Sequence, residues 1–109
     1  IMADLKIWDS DTHRQYTGVP NEVIKENLRR ADALGIPMVI RTPVIPEIDQ
    51  GIPQIAEFAA GLRSVRQYEL LPYHPLGDAK RAAMGQPPAP FTVPPKDIMK
   101  EWNTYAFLR

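Results

Sequence analysis

Residues 21–42, NEVIKENLRRADALGIPMVIRT, decide the fold. Asn21 is a good helix N-cap, and Glu22 suits the positive end of a helix. Val23, Ile24, Leu28, Ala31 and Leu34 recur on one helical face, and Lys25, Glu26, Arg29 and Arg30 fall largely off it. Gly35 stands where a left-handed C-terminal residue ends a helix. The spacing therefore predicts a helix over Glu22–Leu34. The pattern then changes: Pro37–Thr42 reads as a short apolar strand broken by one charge, Arg41.

The same alternation continues on both sides. Upstream, Asp4–Trp8 alternates charged and apolar residues, a strand pattern. Asp9–Gly18 reads as a connection with one helical turn started by Ser10. Downstream, Pro43, Pro46 and Gly51 punctuate a loop. Pro53 suits the first turn of a second helix, whose stripe is Ile55, Phe58, Ala59 and Leu62. Arg66–Tyr73 is a third strand. Residues 86–95 form a Pro-rich connection, and a terminal helix over 96–107 turns Ile98, Met99, Trp102, Tyr105 and Ala106 inward. Strand followed by helix, three times over, implies an α/β chain of three consecutive β/α units with a parallel sheet and right-handed crossovers. A complete β/α barrel takes about 250 residues, so this chain makes at most part of one.

Composition narrows the function. The 109 residues suit one domain, 1–109, and 13 basic residues balance 13 acidic ones. No basic stripe offers a footprint for nucleic acid. No apolar run reaches the ~20 residues of a membrane span. The chain opens directly in strand-like sequence with no secretory pattern, so a cytoplasmic location is expected. With no cysteine at all, disulfides, a thiolate zinc site and a cysteine-bound iron–sulfur cluster are excluded within these residues. Six of the twelve prolines lie between Pro75 and Pro95, which marks an extended connection.

The strand charges point to a site. Leu5 and Ile7 share one face of their strand, so Asp4 and Lys6 share the other and should face a concave interior. The second strand carries Arg41, and the third ends at His74. Charge inside a strand is costly unless it is paired or bound. Asp4 and Lys6 could pair with each other at an edge, and Arg41 could be a structural ion-pair partner. Three consecutive strands delivering such groups favour a polar, zwitterionic or anionic ligand across the strand ends, the active face of β/α barrels. Asp9, Asp11 and His13 could suggest a metal site, but their spacing of two defines no coordination set, so none is assigned. Trp102 and Tyr105 read as core. No nucleophile elbow or phosphate-binding glycine loop is present, and no catalytic residue is assigned.

The strings Asp4-Leu5-Lys6, Tyr16-Thr17-Gly18-Val19 with Asn21, Ile40-Arg41 and Leu70-Leu71-Pro72-Tyr73-His74, followed by Leu76-Gly77 and Lys80, resemble the glycyl radical enzyme activating enzymes. The match runs from Met2 to about Gly85, and more loosely through Pro94-Pro95 into the last helix. The resemblance implies the C-terminal half of a partial (β/α)6 TIM-like barrel. It implies a family chemistry in which a 4Fe–4S cluster, held by three cysteines upstream, cleaves S-adenosylmethionine. The radical so formed takes hydrogen from a glycine of a partner enzyme such as pyruvate formate-lyase, with flavodoxin or ferredoxin as reductant. By resemblance, Asp4, Lys6 and His74 sit where the family contacts S-adenosylmethionine, and Arg41 where an arginine lines the site.

This sequence departs from the family in two respects. It lacks the cluster cysteines, expected in a Cys-x3-Cys-x2-Cys run upstream, and the glycine-rich strand that binds the cofactor's amino group. It also reads Pro46-Glu47-Ile48-Asp49-Gln50 where the family has Pro-Gly-x-Asn-Asp. Two other readings compete with the activase. One is a non-catalytic β/α module that docks a protein partner. The other is a different barrel enzyme using Lys6 as a Schiff-base nucleophile, which Asp4 on the same face disfavours by holding the lysine charged. An open first strand would invite self-association edge to edge.

Overall fold

A computed structural model describes residues 1–74 and 91–109. Its elements run β1 (Met2–Asp4), α1 (Ser10–Thr17), α2 (Glu22–Ala33), β2 (Met38–Val44), α3 (Ile52–Gly61), β3 (Val65–Pro72), α4 (Lys96–Trp102), a 3-10 turn (Asn103–Tyr105) and β4 (Phe107–Leu108). The sheet order is β1-β2-β3-β4. The first three strands are parallel, and β4 is antiparallel to β3. The chain is thus an α/β unit with a mostly parallel sheet.

Proline explains where the first strand stops. The spacing predicts a strand over Asp4–Trp8, but regular pairing ends at Asp4, with one further bond from Leu5 N–H to the Arg41 carbonyl at 3.0 Å. In a parallel ladder the next donor toward β1 is residue 43, and Pro43 has no N–H. β2 itself continues through Pro43 to Val44, past the predicted end at Thr42, because it stays in register with β3: Pro43 opposes Leu71 and Val44 opposes Pro72.

Alternation along β2 sorts the sheet into two faces. Met38, Ile40, Thr42 and Val44 are buried, and Val39, Arg41 and Pro43 are half-buried. The buried face packs with Leu5, Leu28, Ile52, Ile55, Ala59, Val65, Tyr68 and Leu70 beneath the helices. The opposite face carries Asp4, Arg41 and Glu69, paired in one row.

Three other expectations change. Residues 10–17 form a full helix, not one turn, because the Asp9 carboxylate, not Ser10, caps it by accepting from Thr12 N–H at 2.9 Å. In α2, Leu28 is buried, but Val23 and Leu34 are exposed at 67% and 76%, so the apolar stripe is narrower than predicted. The terminal helix ends at Trp102 instead of continuing to residue 107. Phe107 instead pairs with Tyr68 in the sheet, their ring centroids 6.2 Å apart, and Arg109 N–H donates to the Arg66 carbonyl. Tyr105 consequently stays exposed. Residues 91–95 carry no regular structure, and the rest of the Pro-rich connection lies outside the described residues.

Candidate functional site

After Leu5 the chain no longer has a strand neighbour to satisfy its backbone, and buried side chains take over. Thr42 Oγ1 donates to the Leu5 carbonyl at 2.6 Å, doing what Pro43 cannot. Gln50 Nε2 donates to the Lys6 carbonyl at 2.9 Å. Asn21 Nδ2 donates to the carbonyls of Ile7 and Trp8 at 2.7 and 2.9 Å. Lys25 Nζ adds a 2.7 Å bond to the Trp8 carbonyl and lies 3.8 Å from the Trp8 ring centroid. Burial pushes the Lys25 ammonium below its ordinary pKa. Four consecutive carbonyls are therefore held by side chains. Asn21, expected as an N-cap, makes no cap bond and is fully buried in this role.

This segment forms one wall of a cleft of about 700 Å³ at the C-terminal ends of the strands, lined by Lys6, Tyr16, Glu47, Ile48, Tyr73 and Phe91 among others. Phe91 makes edge contacts with Tyr16 and Tyr73 at 5.8 and 5.9 Å between centroids. Glu47 anchors that arrangement. Its carboxylate accepts from the Thr92 hydroxyl and from Thr92 N–H, and the hydroxyl bond above all holds its pKa below the ordinary value. Glu47, Phe91 and Tyr73 were not expected in a site. Glu47 and Tyr73 could have been found as an acidic and an aromatic residue just past the ends of β2 and β3, whereas Phe91, far along the chain from β3, had no such signal.

The four expected residues do not form one cluster. Lys6 is exposed and lines the cleft. Asp4 and Arg41 lie earlier on their strands, outside the cleft lining, on the open sheet face, where Arg41 Nε is 3.7 Å from Glu69 Oε2. His74 is exposed in a second cleft, with Val93, Lys96, Met99 and Lys100. Asp9, Asp11 and His13 do not converge: Asp9 caps α1, and buried His13 places Nδ1 2.7 Å from the Val19 carbonyl.

No family model matches the chain. The isethionate sulfite-lyase activating enzyme of Nitratidesulfovibrio vulgaris is 46% identical over 83 residues, covering 73% of this chain and 27% of that protein. The pyruvate formate-lyase-activating enzyme of Staphylococcus epidermidis is 34% identical, covering 99% of this chain and 44% of that protein. A crystal structure of a domain of pyruvate-formate lyase-activating enzyme from Bacteroides vulgatus superposes with a TM-score of 0.73 at 30% identity, over 95% of this chain and 58% of that one. Over the residues it contains, the chain belongs to the glycyl radical enzyme activating enzymes. It spans 27% and 44% of the length of the two relatives named.

The two cofactors expected for an activating enzyme fare differently. A cysteine-held cluster does not fit, since the chain contains no cysteine. S-adenosylmethionine does fit the strand-end cleft in chemistry and size. The cleft has a cation at Lys6, a carboxylate at Glu47, three aromatic rings and a volume within the ~300–1,000 Å³ of small-molecule sites. No described helix is long and apolar enough to cross a membrane.

Proposed function

We propose that this chain is part of a radical S-adenosylmethionine activating enzyme that generates a glycyl radical on a partner enzyme such as pyruvate formate-lyase. The observation that carries the reading is Lys6 at the wall of an aromatic-lined cleft over the strand ends, in a chain of this family. When bound, S-adenosylmethionine supplies the radical that takes a hydrogen atom from the partner's glycine.

This chain's residues bind and orient. Lys6 pairs with the cofactor's carboxylate through a charge-assisted bond. Asp4 accepts from ammonium or hydroxyl groups. His74, in the neighbouring cleft, and Arg41, on the open sheet face, are further contacts for those parts of the cofactor or incoming peptide that extend beyond the Lys6 cleft. The cluster belongs to cysteines outside these residues, and a small redox protein such as flavodoxin or ferredoxin reduces it, in the cytoplasm.

The test is cleavage of S-adenosylmethionine to 5′-deoxyadenosine by the reduced, cluster-loaded parent protein. The parent should cleave it, and Lys6→Ala should raise the KM by about tenfold, the loss of one charged contact. A parent that does not cleave it, or a Lys6→Ala variant with unchanged KM, would contradict the reading.

A further inference from the structure

Gln50 is 4% exposed, and every polar atom of its side chain is engaged. Oε1 accepts from Ile45 N–H at 2.8 Å. Nε2 donates to the Pro43 carbonyl at 2.7 Å and to the Lys6 carbonyl at 2.9 Å. Its own backbone carbonyl accepts from Trp8 N–H at 2.8 Å. Two of these bonds reach the Lys6–Trp8 segment, and two reach the segment that leads from β2 to Glu47 and Ile48. Both segments contribute to the lining of the strand-end cleft.

We infer that Gln50 is a positioning residue for Lys6, one buried amide that locks the Lys6 backbone to the end of β2 and aims the lysine into the cleft. The physical reason is the proline at position 43. β1 leaves the ladder after Leu5, so the Pro43 carbonyl and the Ile45 N–H, which Ile7 would otherwise have paired with, need other partners. The carboxamide satisfies both, and its second N–H holds the Lys6 carbonyl. A glutamate of the same size would lose both donors at neutral pH, and a methionine would lose the acceptor as well. The ligand-binding consequence rests on the reading of the cleft as an S-adenosylmethionine site; the geometric claim does not.

The test has a ligand-free arm and a ligand arm. In the first, lysines are reductively methylated with carbon-13 formaldehyde, and the Lys6 signal is followed by NMR. Gln50→Met should move that signal while the Lys100 signal stays put. In the unaltered chain, the Gln50 side-chain amide protons should exchange as slowly as core backbone amides. An unmoved Lys6 signal, or fast exchange of the Gln50 amide, overturns the inference, and the exchange measurement holds even if the variant fails to fold. In the second arm, calorimetry with S-adenosylmethionine compares Gln50→Met, Lys6→Ala and the double variant. Each single change should weaken binding about tenfold, and the double variant should be no weaker than either. Losses that multiply overturn it. If the unaltered chain shows no binding, the cofactor reading falls, and the Lys6 signal still decides the role of Gln50.

Discussion

Arg41 Nε lies 3.7 Å from Glu69 Oε2 on the neighbouring strand, and Asp4 stands opposite Arg41 on its other side. The side chains of Arg41 and Glu69 are 32% and 36% exposed, so water reaches much of the pair, although Arg41 Nε itself is covered. Such pairs contribute about 0–1 kcal/mol. Glu69→Gln should therefore shift urea unfolding by less than about 1 kcal/mol. A loss of about 3 kcal/mol or more would mean that the arginine is left as a buried, uncompensated charge.

Tyr68 sits at the centre of the core, and its hydroxyl donates to Thr42 Oγ1 at 2.8 Å, which in turn donates to the Leu5 carbonyl. Tyr68→Phe should cost about 1 kcal/mol at neutral pH. Burial pushes the Tyr68 pKa up from 10.0 to about 12. The folded chain thus holds this proton more tightly than the unfolded one, so the stabilisation is complete below pH 10 and lost as pH rises through about 12. Stability between pH 10.0 and about 12 should fall steeply for the unaltered chain and less steeply for Tyr68→Phe.

Acid should act in the opposite sense. Hydrogen bonds from Thr12 hold Asp9 below its ordinary 3.8, a bond with Ser10 does so first for Glu22, and Thr92 for Glu47, both below 4.5. Lowered carboxylates stabilise above the unfolded values, and that contribution disappears as pH falls through the folded ones. The melting temperature should drop as pH is taken below 4.5. A triple variant, Asp9→Asn, Glu22→Gln and Glu47→Gln, should show a shallower drop, measured by calorimetric scans at successive pH values.

Gly51 opens α3 with φ 68°, and a Cβ there would lie 2.9 Å from Trp8 Cβ. Gly51→Ala should cost at least the roughly 1–2 kcal/mol of a left-handed non-glycine residue, and should move Trp8. Thermal unfolding together with a changed Trp8 indole resonance is the expected outcome. An unchanged melting temperature would show that the α3 entry relaxes freely.

The sequence made the alternation of strand and helix readable wherever local chemistry acts alone. Gly35 ends α2 with a φ of 70°, and α3 opens with proline in its first turn. What it hid depended on neighbours across the sheet. Pro43 reads locally as a strand end, yet β2 carries it while β1 loses its ladder. Phe107 fits an amphipathic helix, yet its packing on Tyr68 draws it into a strand. Likewise, Asn21 looks like a cap, and only the unpaired carbonyls of Ile7 and Trp8 show why it is buried instead. Among the candidate residues, Lys6 was visible from period-two alternation. Glu69 lay in the same kind of pattern, between Tyr68 and Leu70, and was missed because it looks like an ordinary surface charge.

The most direct test of the central claim is a titration of this chain with S-adenosylmethionine, followed by backbone amide NMR. Saturable shifts are expected at Lys6, Ile7, Ile48 and Tyr73, around the strand-end cleft, and should vanish in Lys6→Ala. Shifts confined to the groove on the helix side, at Arg29, Glu57 and Phe58, or none at all, would contradict it.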